Sequence, residues 1–290
     1  MKKIFTLFII VTVYFTSCDK IEQPFMKENN DVDTTACPVP DFPSFSNPQK
    51  KVLLEEFTGH KCPNCPLGGA AAHNLLNTYQ NRLAVVAIHA GFYATADNNG
   101  HFTANYITAE GEEIANYFSV TLNPIGIVNR KKFNNEFLIN LGDWNTAIDN
   151  IINEQPEMYI QVISQLSQTD SSYCIHTKVN YLEDLQGNFN LCVFITENDI
   201  ISPQKTTDVT NYPSGIIEDY EHNHVLRKVL GGTWGKSIAT GQVYTDSSFV
   251  QSYKLNINSN WNKSNLEIIS FVYDVDNEEV IQMERVPLIQ

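Results

Sequence analysis

The sequence is short of basic residues. It has 19 Lys and Arg against 33 Asp and Glu, a formal net charge of −14 at pH 7. An acidic surface repels nucleic-acid phosphates, so this composition argues against a nucleic-acid partner. Beyond the first 18 residues there is also no long apolar run, whereas a membrane-spanning helix needs about 20 consecutive apolar residues. The body of the chain therefore predicts neither a nucleic-acid-binding protein nor a membrane-spanning helix.

Only one C-x-x-C motif is present, Cys62-Pro63-Asn64-Cys65. No second motif or nearby Cys and His pair completes a zinc site, so we predict no metal and no cofactor. A strand-like run precedes the motif and a helical run follows it. At a helix N-terminus, free N–H groups and the helix dipole favour a thiolate. The motif predicts a redox dithiol, with Cys62 as the exposed nucleophile and Cys65 as the resolving thiol. A structural disulfide is the alternative.

Two further residues resemble those of thioredoxin-like proteins. Glu56 lies six residues before Cys62, where thioredoxins carry a buried acid that moves the proton of the second cysteine. Strand alternation turns one of Glu55 and Glu56 inward, and the alternative is that Glu56 faces solvent. Pro124 precedes a β-rich run, and the resemblance implies a cis-proline that positions an extended substrate chain.

The first 18 residues predict export. Lys2 and Lys3 precede an apolar stretch that ends at Cys18, which is typical of a signal peptide with a lipoprotein processing site. We therefore predict a signal over residues 1–18, lipidation of Cys18, attachment to the membrane through that lipid, and a flexible tether over residues 19–48. The alternative is an ordinary signal peptide in which the cysteine is incidental.

Two domains are expected after the tether. Residues 49–156 alternate strands and helices, which predicts an α/β layer. Thr108 is expected to begin one helix with Ile114, Tyr117 and Phe118 inward, and Asp143 to cap another. Residues 157–290 show strand-like patterns, which predict an antiparallel sandwich. Its strands are expected within residues 159–166, 173–181, 189–196, 243–257 and 266–273, with turns at residues 184–188 and 276–277.

The chain resembles the outer-membrane-protein-28-related lipoproteins of Gram-negative bacteria. The resemblance is carried by Cys18, by the block from Glu55 to Pro66, by the segment from Asn123 to Arg130, and by the block from Glu218 to Arg227. It implies a thioredoxin-like domain followed by an immunoglobulin-like β-sandwich in an envelope lipoprotein. Related proteins often have a Tyr-Pro-Thr-Gly-like turn where this chain has Asn-Pro-Ile-Gly, so contacts at the substrate groove are expected to differ.

Three histidines are candidate site residues. His222 and His224 share a strand face at i and i+2, yet no third metal ligand accompanies them, so we expect hydrogen bonding at the domain junction. His60 is predicted either to stabilise a Cys62 thiolate by its charge or simply to be exposed.

The remaining cysteines are expected to be unpaired. A hairpin turning at residues 183–187 offsets Cys174 and Cys192 by four residues, about 13 Å at strand rise. Disulfide Cα atoms lie within about 7 Å, so this register excludes their pairing unless a bulge or a longer turn intervenes. Cys37, in the tether, is expected to be free.

The leading functional interpretation is a lipid-anchored thiol–disulfide oxidoreductase, or a redox-linked accessory protein, that acts on envelope proteins. Cys62, Cys65, Glu56 and Pro124 would form its site. The alternative is a non-enzymatic binding or adhesion lipoprotein of the outer membrane, in which Cys62 and Cys65 form a static disulfide.

Overall fold

The computed structural model describes residues 36–289, so the predicted signal, Cys18 and residues 19–35 of the tether lie outside the described residues. The helices are α1 (Cys65–Tyr79), α2 (Ala109–Tyr117) and α3 (Trp144–Ile152). The strands in chain order are β1 (Val52–Thr58), β2 (Leu83–His89), β3 (Ile125–Val128), β4 (Met158–Leu166), β5 (Tyr173–Tyr181), β6 (Leu185–Glu197), β7 (Ile200–Lys205), β8 (Ile216–His222), β9 (Val225–Leu230), β10 (Lys236–Val243), β11 (Ser248–Leu255), β12 (Leu266–Asp274) and β13 (Val280–Pro287).

The strand β1 lies between β2, which is parallel to it, and β3, which is antiparallel. Every residue of these three strands is buried. Burial on both faces explains why β1 and β2 read as nearly continuous apolar runs. The sheet continues beyond β2 in the order β13-β12-β6-β9-β2-β1-β3, with β10 paired to β6.

Helices cover both faces of the β1 to β3 part of the sheet. The helices α1 and α3 share a core with one face, where Trp144 is fully buried and donates its Nε1–H to Ile139 O at 3.1 Å. The helix α2 packs on the opposite face through Ile114. As predicted, Thr108 caps α2 by accepting from Gly111 N at 3.0 Å.

Two details of the helix predictions are wrong. Tyr117 is 53% exposed rather than inward, because the helix buries Ile114 and Ala115 instead. Asp143 does precede α3, but its side chain makes no capping hydrogen bond.

The C-terminal part of the chain contributes a second layer. The strands β4, β5 and β11 form their own antiparallel sheet. They enclose an apolar core with β6, β12 and β13. The strands expected at residues 159–166, 173–181, 189–196 and 266–273 are present, and the turn at residues 276–277 joins β12 to β13. The run expected over residues 243–257 is interrupted between β10 and β11.

The predicted hairpin between β5 and β6 is wrong. The strand β5 pairs with β4 and β11, whereas β6 pairs with β9, β10 and β12. Cys174 and Cys192 therefore lie in different sheets. They are not bonded to each other, but the register from which this was argued does not exist.

Cys37 and Cys174 form a disulfide with a Cα–Cα distance of 5.6 Å, so the prediction that both are free is wrong. Residues before β1 lie along the sheet of β4, β5 and β11, which we call the outer sheet. There the Gln165 amide donates to Pro38 O at 2.8 Å and the Gln161 amide donates to Pro43 O at 2.7 Å. This contact brings the two cysteines together. Cys192 is free and fully buried, and burial raises the pKa of its thiol to about 12.

The two predicted domains are in close contact. Their expected boundary, between residues 156 and 157, falls between α3 and β4. Ala87 of β2 pairs with Val225 of β9, which joins strands from both segments into one sheet. A single apolar cluster also includes side chains of both segments, such as Ile88 and Phe194. The division into separate domains stays a prediction.

Candidate functional site

The C-x-x-C motif lies between β1 and α1, as predicted. Cys62 N donates to Gly59 O at 2.9 Å, and Cys65 is the first residue of α1. Pro66 follows at the start of the helix, where its missing N–H costs no intrahelical hydrogen bond. Cys62 and Cys65 form a disulfide with a Cα–Cα distance of 5.4 Å.

Both cysteines are buried. Cys62 is 1% exposed and Cys65 is 3% exposed. The expectation that Cys62 is the more exposed of the two is therefore wrong for this oxidised form. Segments later in the chain pack over the motif and exclude solvent from both cysteines.

Asn123 and Pro124 adjoin the disulfide. The Asn123–Pro124 peptide bond is cis, as the resemblance implied. Cys62 Sγ lies 3.5 Å from Asn123 O. A Cβ placed on Gly68 of α1 would lie 2.8 Å from Pro124 Cβ. Pro124 is thus in contact with the first turn of the helix that begins at Cys65.

Glu56, like Pro124, approaches Gly68 of α1. A Cβ placed on Gly68 would lie 2.5 Å from Glu56 Oε1, so the carboxyl reaches the same turn of α1. Glu56 is 3% exposed, and its burial raises the pKa of the carboxyl to about 8. Near neutral pH this acid is mostly protonated and within one unit of its midpoint, which suits a proton donor or acceptor.

The neighbouring acid, Glu55, has a different role. It points to the opposite face of β1, where its two carboxylate oxygens accept from Arg130 Nε at 2.8 Å and from Arg130 Nη2 at 2.7 Å. Both side chains are fully buried. Strand alternation puts the two acids on opposite faces of β1 as expected, but both faces are covered, so both acids are buried rather than one. Arg130 was not predicted as the partner of Glu55, although it lies in a segment that carries the family resemblance.

A hairpin formed by β7 and β8 covers the motif. Gln204 donates its amide Nε2 to Cys62 O at 2.9 Å and also approaches Gly59 O at 3.4 Å. Lys205 N donates to His60 O at 2.8 Å, and Thr207 N donates to Pro63 O at 3.0 Å. We call this pair of strands the cover hairpin. Its contact with the motif was missed, because no local pattern in its sequence indicates where it packs.

The cover hairpin also bounds a cavity of about 70 Å³ behind the disulfide. Glu56 and Cys65 line the cavity on one side. The cover hairpin contributes Gln204, Tyr220 and His222, and β2 contributes His89. Tyr220 reaches α1, since a Cβ on Gly69 would lie 2.6 Å from Tyr220 Oη.

Buried histidines surround this region. His60, His89 and His222 are at most 4% exposed and contact Tyr106, with ring centroids 5.9, 5.0 and 5.2 Å from the Tyr106 ring. Burial lowers the pKa of all three imidazoles, that of His222 to about 4. They are therefore neutral near pH 7.

Two predictions about these histidines are wrong. His60 is neither exposed nor charged, so it offers no charge to a Cys62 thiolate. His222 and His224 do not share a strand face, because β8 ends at His222 and His224 has a φ of 58° in the connection to β9. Hydrogen bonding between the two segments is present at His224, but through its backbone rather than the predicted imidazole, since Ala87 N donates to His224 O at 2.8 Å. Within residues 36–289, no group of three or more potential ligands is placed to hold a metal ion.

The fold is therefore a mixed α/β, strand-rich one, with a buried cysteine pair at the start of α1 and a buried acid and a proline that both approach Gly68 in the first turn of that helix. The family model described as outer membrane protein Omp28 matches residues 111–289, which is more than half of the chain. The chain belongs to this family, and it is an outer membrane protein. Among residues 36–289, no helix is long and apolar enough to cross a membrane.

Two solved structures show the same fold at low sequence identity. HBP35 of Porphyromonas gingivalis is 17% identical, with 83% of this chain and 76% of that chain covered and a TM-score of 0.60. A protein from Agrobacterium tumefaciens is 12% identical, with 84% and 97% covered and a TM-score of 0.52. A domain of the outer membrane lipoprotein Omp28 from P. gingivalis is 21% identical over 46% of this chain and 88% of that chain, with a TM-score of 0.31. No curated protein matches the chain significantly in sequence.

Proposed function

We propose that this outer membrane protein exchanges disulfides with envelope proteins through Cys62 and Cys65. In this proposal residues 49–156 form a thioredoxin-like domain and residues 157–290 form an immunoglobulin-like sandwich. Lipidation of Cys18 attaches the protein to the membrane. The placement of Glu56 carries the proposal, because it is a buried acid that lines the same cavity as Cys65 and approaches the first turn of α1, and its pKa is raised to about 8. A disulfide that is never reduced requires no proton donor or acceptor, and side chains with strongly shifted pKa values cluster at functional sites.

The proposed reaction starts from the oxidised pair. A substrate thiolate attacks Cys62 Sγ, the Cys62–Cys65 bond breaks, and its electron pair goes to Cys65 Sγ. The protonated Glu56 carboxyl gives its proton to Cys65. A second substrate thiolate then attacks the substrate sulfur of the mixed disulfide and releases Cys62. The substrate dithiol is oxidised to a disulfide and the protein pair is reduced. In reverse, Glu56 carboxylate takes the Cys65 proton and Cys65 attacks Cys62.

Pro124 has a positioning role in this proposal. It contacts α1 beside the pair, and Asn123 O lies next to Cys62 Sγ. An extended substrate segment lying along Asn123 and Pro124 would bring its own sulfur in line with Cys62. Access from this side requires displacement of the covering groups, because Cys62 is only 1% exposed.

Trapping of mixed disulfides tests the proposal. With Cys65→Ser the resolving thiol is missing, so mixed disulfides with envelope proteins should accumulate on Cys62. With Cys62→Ser they should be rare. In reduced wild type, iodoacetamide should label Cys62 before Cys65, with an apparent pKa below about 8.5. If neither cysteine reacts in the folded protein and no mixed disulfide forms, the exchange reaction is refuted.

One observation favours the second candidate, a binding lipoprotein with a static disulfide. Both cysteines are at least 97% buried, and Gln204 holds the backbone of the motif. A buried, static disulfide of this kind should resist reduction by dithiothreitol until the protein unfolds. Reduction of the folded protein at a rate far above its unfolding rate would exclude this candidate.

A further inference from the structure

The cavity behind the disulfide has a polar lining with unsatisfied groups. His222 and His89 are 4% and 3% exposed, yet Nε2 of each finds no hydrogen-bond partner within residues 36–289. Both side chains line the cavity together with Glu56 and Cys65. A buried polar atom without a partner is unfavourable, and in a polar cavity of sufficient size water satisfies it. A single water needs only about 10–15 Å³ of such space, so a cavity of about 70 Å³ has room for more than one.

The cavity is lined both by buried and by exposed side chains. Glu56 and Cys65 are buried. His73 on α1 and Glu221 on β8 line the same cavity and are exposed. The cover hairpin thus encloses a passage from solvent to Glu56 that does not cross the Asn123 and Pro124 side of the pair.

The orientation of His222 is suited to holding water. The imidazole of His222 hydrogen-bonds to the backbone of Ser202 and Pro203. Its Nε2 has no hydrogen-bond partner within residues 36–289. A neutral imidazole that donates through one nitrogen accepts through the other. Nε2 of His222 can therefore accept a hydrogen bond from a water in the cavity and thereby fix the orientation of that water.

We propose that this cavity is a water-filled proton passage between Glu56 and solvent, in which His222 of the cover hairpin is the positioning residue for the water next to Glu56. The inference rests on the proposed exchange function, since Glu56 must be protonated to give a proton to Cys65 and must be a carboxylate to accept one in the reverse reaction, so its proton exchanges with solvent between the two. The groups facing His222 are His89 from β2, Tyr106 from the segment before α2, and Tyr220 from β8. Burial lowers the pKa of His89 and raises the pKa values of Tyr106 and Tyr220, so none of the three is charged near pH 7.

Isotope exchange of the Glu56 carboxyl tests the passage without any disulfide substrate. In the oxidised full-length protein at pH 6 the protonated carboxyl gives an infrared C=O band, which is identified by its loss in Glu56→Gln. On transfer into D₂O this band shifts as the proton is replaced. The shift should be about tenfold slower or more in His222→Leu, because the positioned water is lost. His222→Gln restores an acceptor and should return the rate to within about twofold of wild type.

The matched control is His101→Leu. His101 is exposed and contacts Glu218 of the cover hairpin at 3.1 Å, and neither residue lines the cavity. It should leave the exchange rate unchanged. A wild-type rate in His222→Leu, or a His222→Gln variant as slow as His222→Leu, overturns the passage. If His222→Leu does not fold, a high-resolution crystal structure of the wild type decides. A water bonded to His222 Nε2 supports the passage, and an empty cavity overturns it.

The outcomes separate this inference from the proposed function. Slow carboxyl exchange in His222→Leu, in a protein that traps no mixed disulfide, supports the passage and refutes disulfide exchange. Trapped mixed disulfides together with unchanged carboxyl exchange in His222→Leu support the exchange function and refute the passage.

Discussion

Gly68 of α1 touches Glu56 so closely that any β-carbon at position 68 would lie 2.5 Å from Glu56 Oε1. Pro124 bounds the same space from the other side, at 2.8 Å. Neither neighbour is a flexible chain end in open solvent, since both lie against the buried start of α1. The residue at position 68 therefore determines whether the acid and the proline can both remain next to the cysteine pair.

Gly68→Ala is expected to destabilise the fold by about 1–3 kcal/mol, as overpacking of a filled interior does. Urea unfolding of the oxidised protein measures the loss. Gly142→Ala is the matched control, because nothing lies within 4 Å of a Cβ at Gly142. Equal stability of the two variants would show that the space around Glu56 adapts without cost.

Glu56 should make stability depend on pH. Burial raises its pKa from 4.5 to about 8, so the folded protein holds this proton between those values while the unfolded chain has lost it. The contribution of Glu56 is fully present below about pH 4.5 and is lost as the pH rises through 8. Glu56→Gln removes this loss, so the variant should gain stability relative to wild type between pH 5 and pH 8. The expected gain is a few kcal/mol, with about 5 as the upper limit.

Urea unfolding at pH 5 and pH 8 checks this difference. Glu136→Gln, at an exposed position, is the control and should follow the wild type at both pH values. A Glu56→Gln variant whose advantage is the same at both pH values would mean that Glu56 titrates normally.

Gln204 should control how readily the pair is reduced. Its amide donates to Cys62 O, and a hydrogen bond of this kind contributes about 0.5–1.5 kcal/mol. Gln204→Ala should loosen the cover hairpin over the motif and speed reduction of the folded protein by dithiothreitol several-fold, up to about tenfold. Gln242→Ala is the control, since Gln242 is exposed and its amide donates to the adjacent Val243 O. Identical reduction rates in the two variants would rule out a gating role for Gln204.

The Cys37–Cys174 disulfide closes a loop of 137 residues. In the chain-entropy account its removal costs about 4–5 kcal/mol. Cys37→Ala and Cys174→Ala remove the same bond, so each variant and the double variant should lose similar stability in urea. Mass mapping of the wild type should find a peptide linking the two residues and an unlinked Cys192. Additive losses in the double variant, or a linked Cys192, would contradict the pairing.

Lipidation of Cys18 is tested by fractionation. Cys18→Ser should move the protein from the membrane fraction to the soluble fraction, because the acyl chains provide the attachment. Cys37→Ser also removes a cysteine near the N-terminus but should leave the protein on membranes. Tight membrane association of Cys18→Ser would refute lipid attachment at this residue.

The sequence predicted the parts of the site that are close together along the chain. The path from Glu56 through the motif into α1 is local, so strand alternation, the C-x-x-C spacing and Pro66 sufficed. Pro124 was placed only by resemblance. The cover hairpin was missed, since β8 is mostly polar and Gln204 binds backbone oxygens that carry no sequence signal.

The misplaced cysteines have a similar physical cause. Cys37 and Cys174 are 137 residues apart, and their contact depends on residues before β1 lying along the outer sheet. The expected hairpin of β5 and β6 does not form, because each of the two strands pairs with other strands. Short connections favour a hairpin, but the apolar faces of β5 and β6 belong to opposite sheets of one core.

The Cys37–Cys174 bond also decides where a mechanical load enters the molecule. If Cys18 is held in the membrane, any pull on the N-terminal segment reaches Cys37 first and passes through the covalent bond into β5. The strand β1, which begins at Val52 and carries Glu56, lies beyond that point along the chain. Tension from the anchor is therefore borne by the outer sheet, and the cysteine pair experiences none of it while the bond is intact.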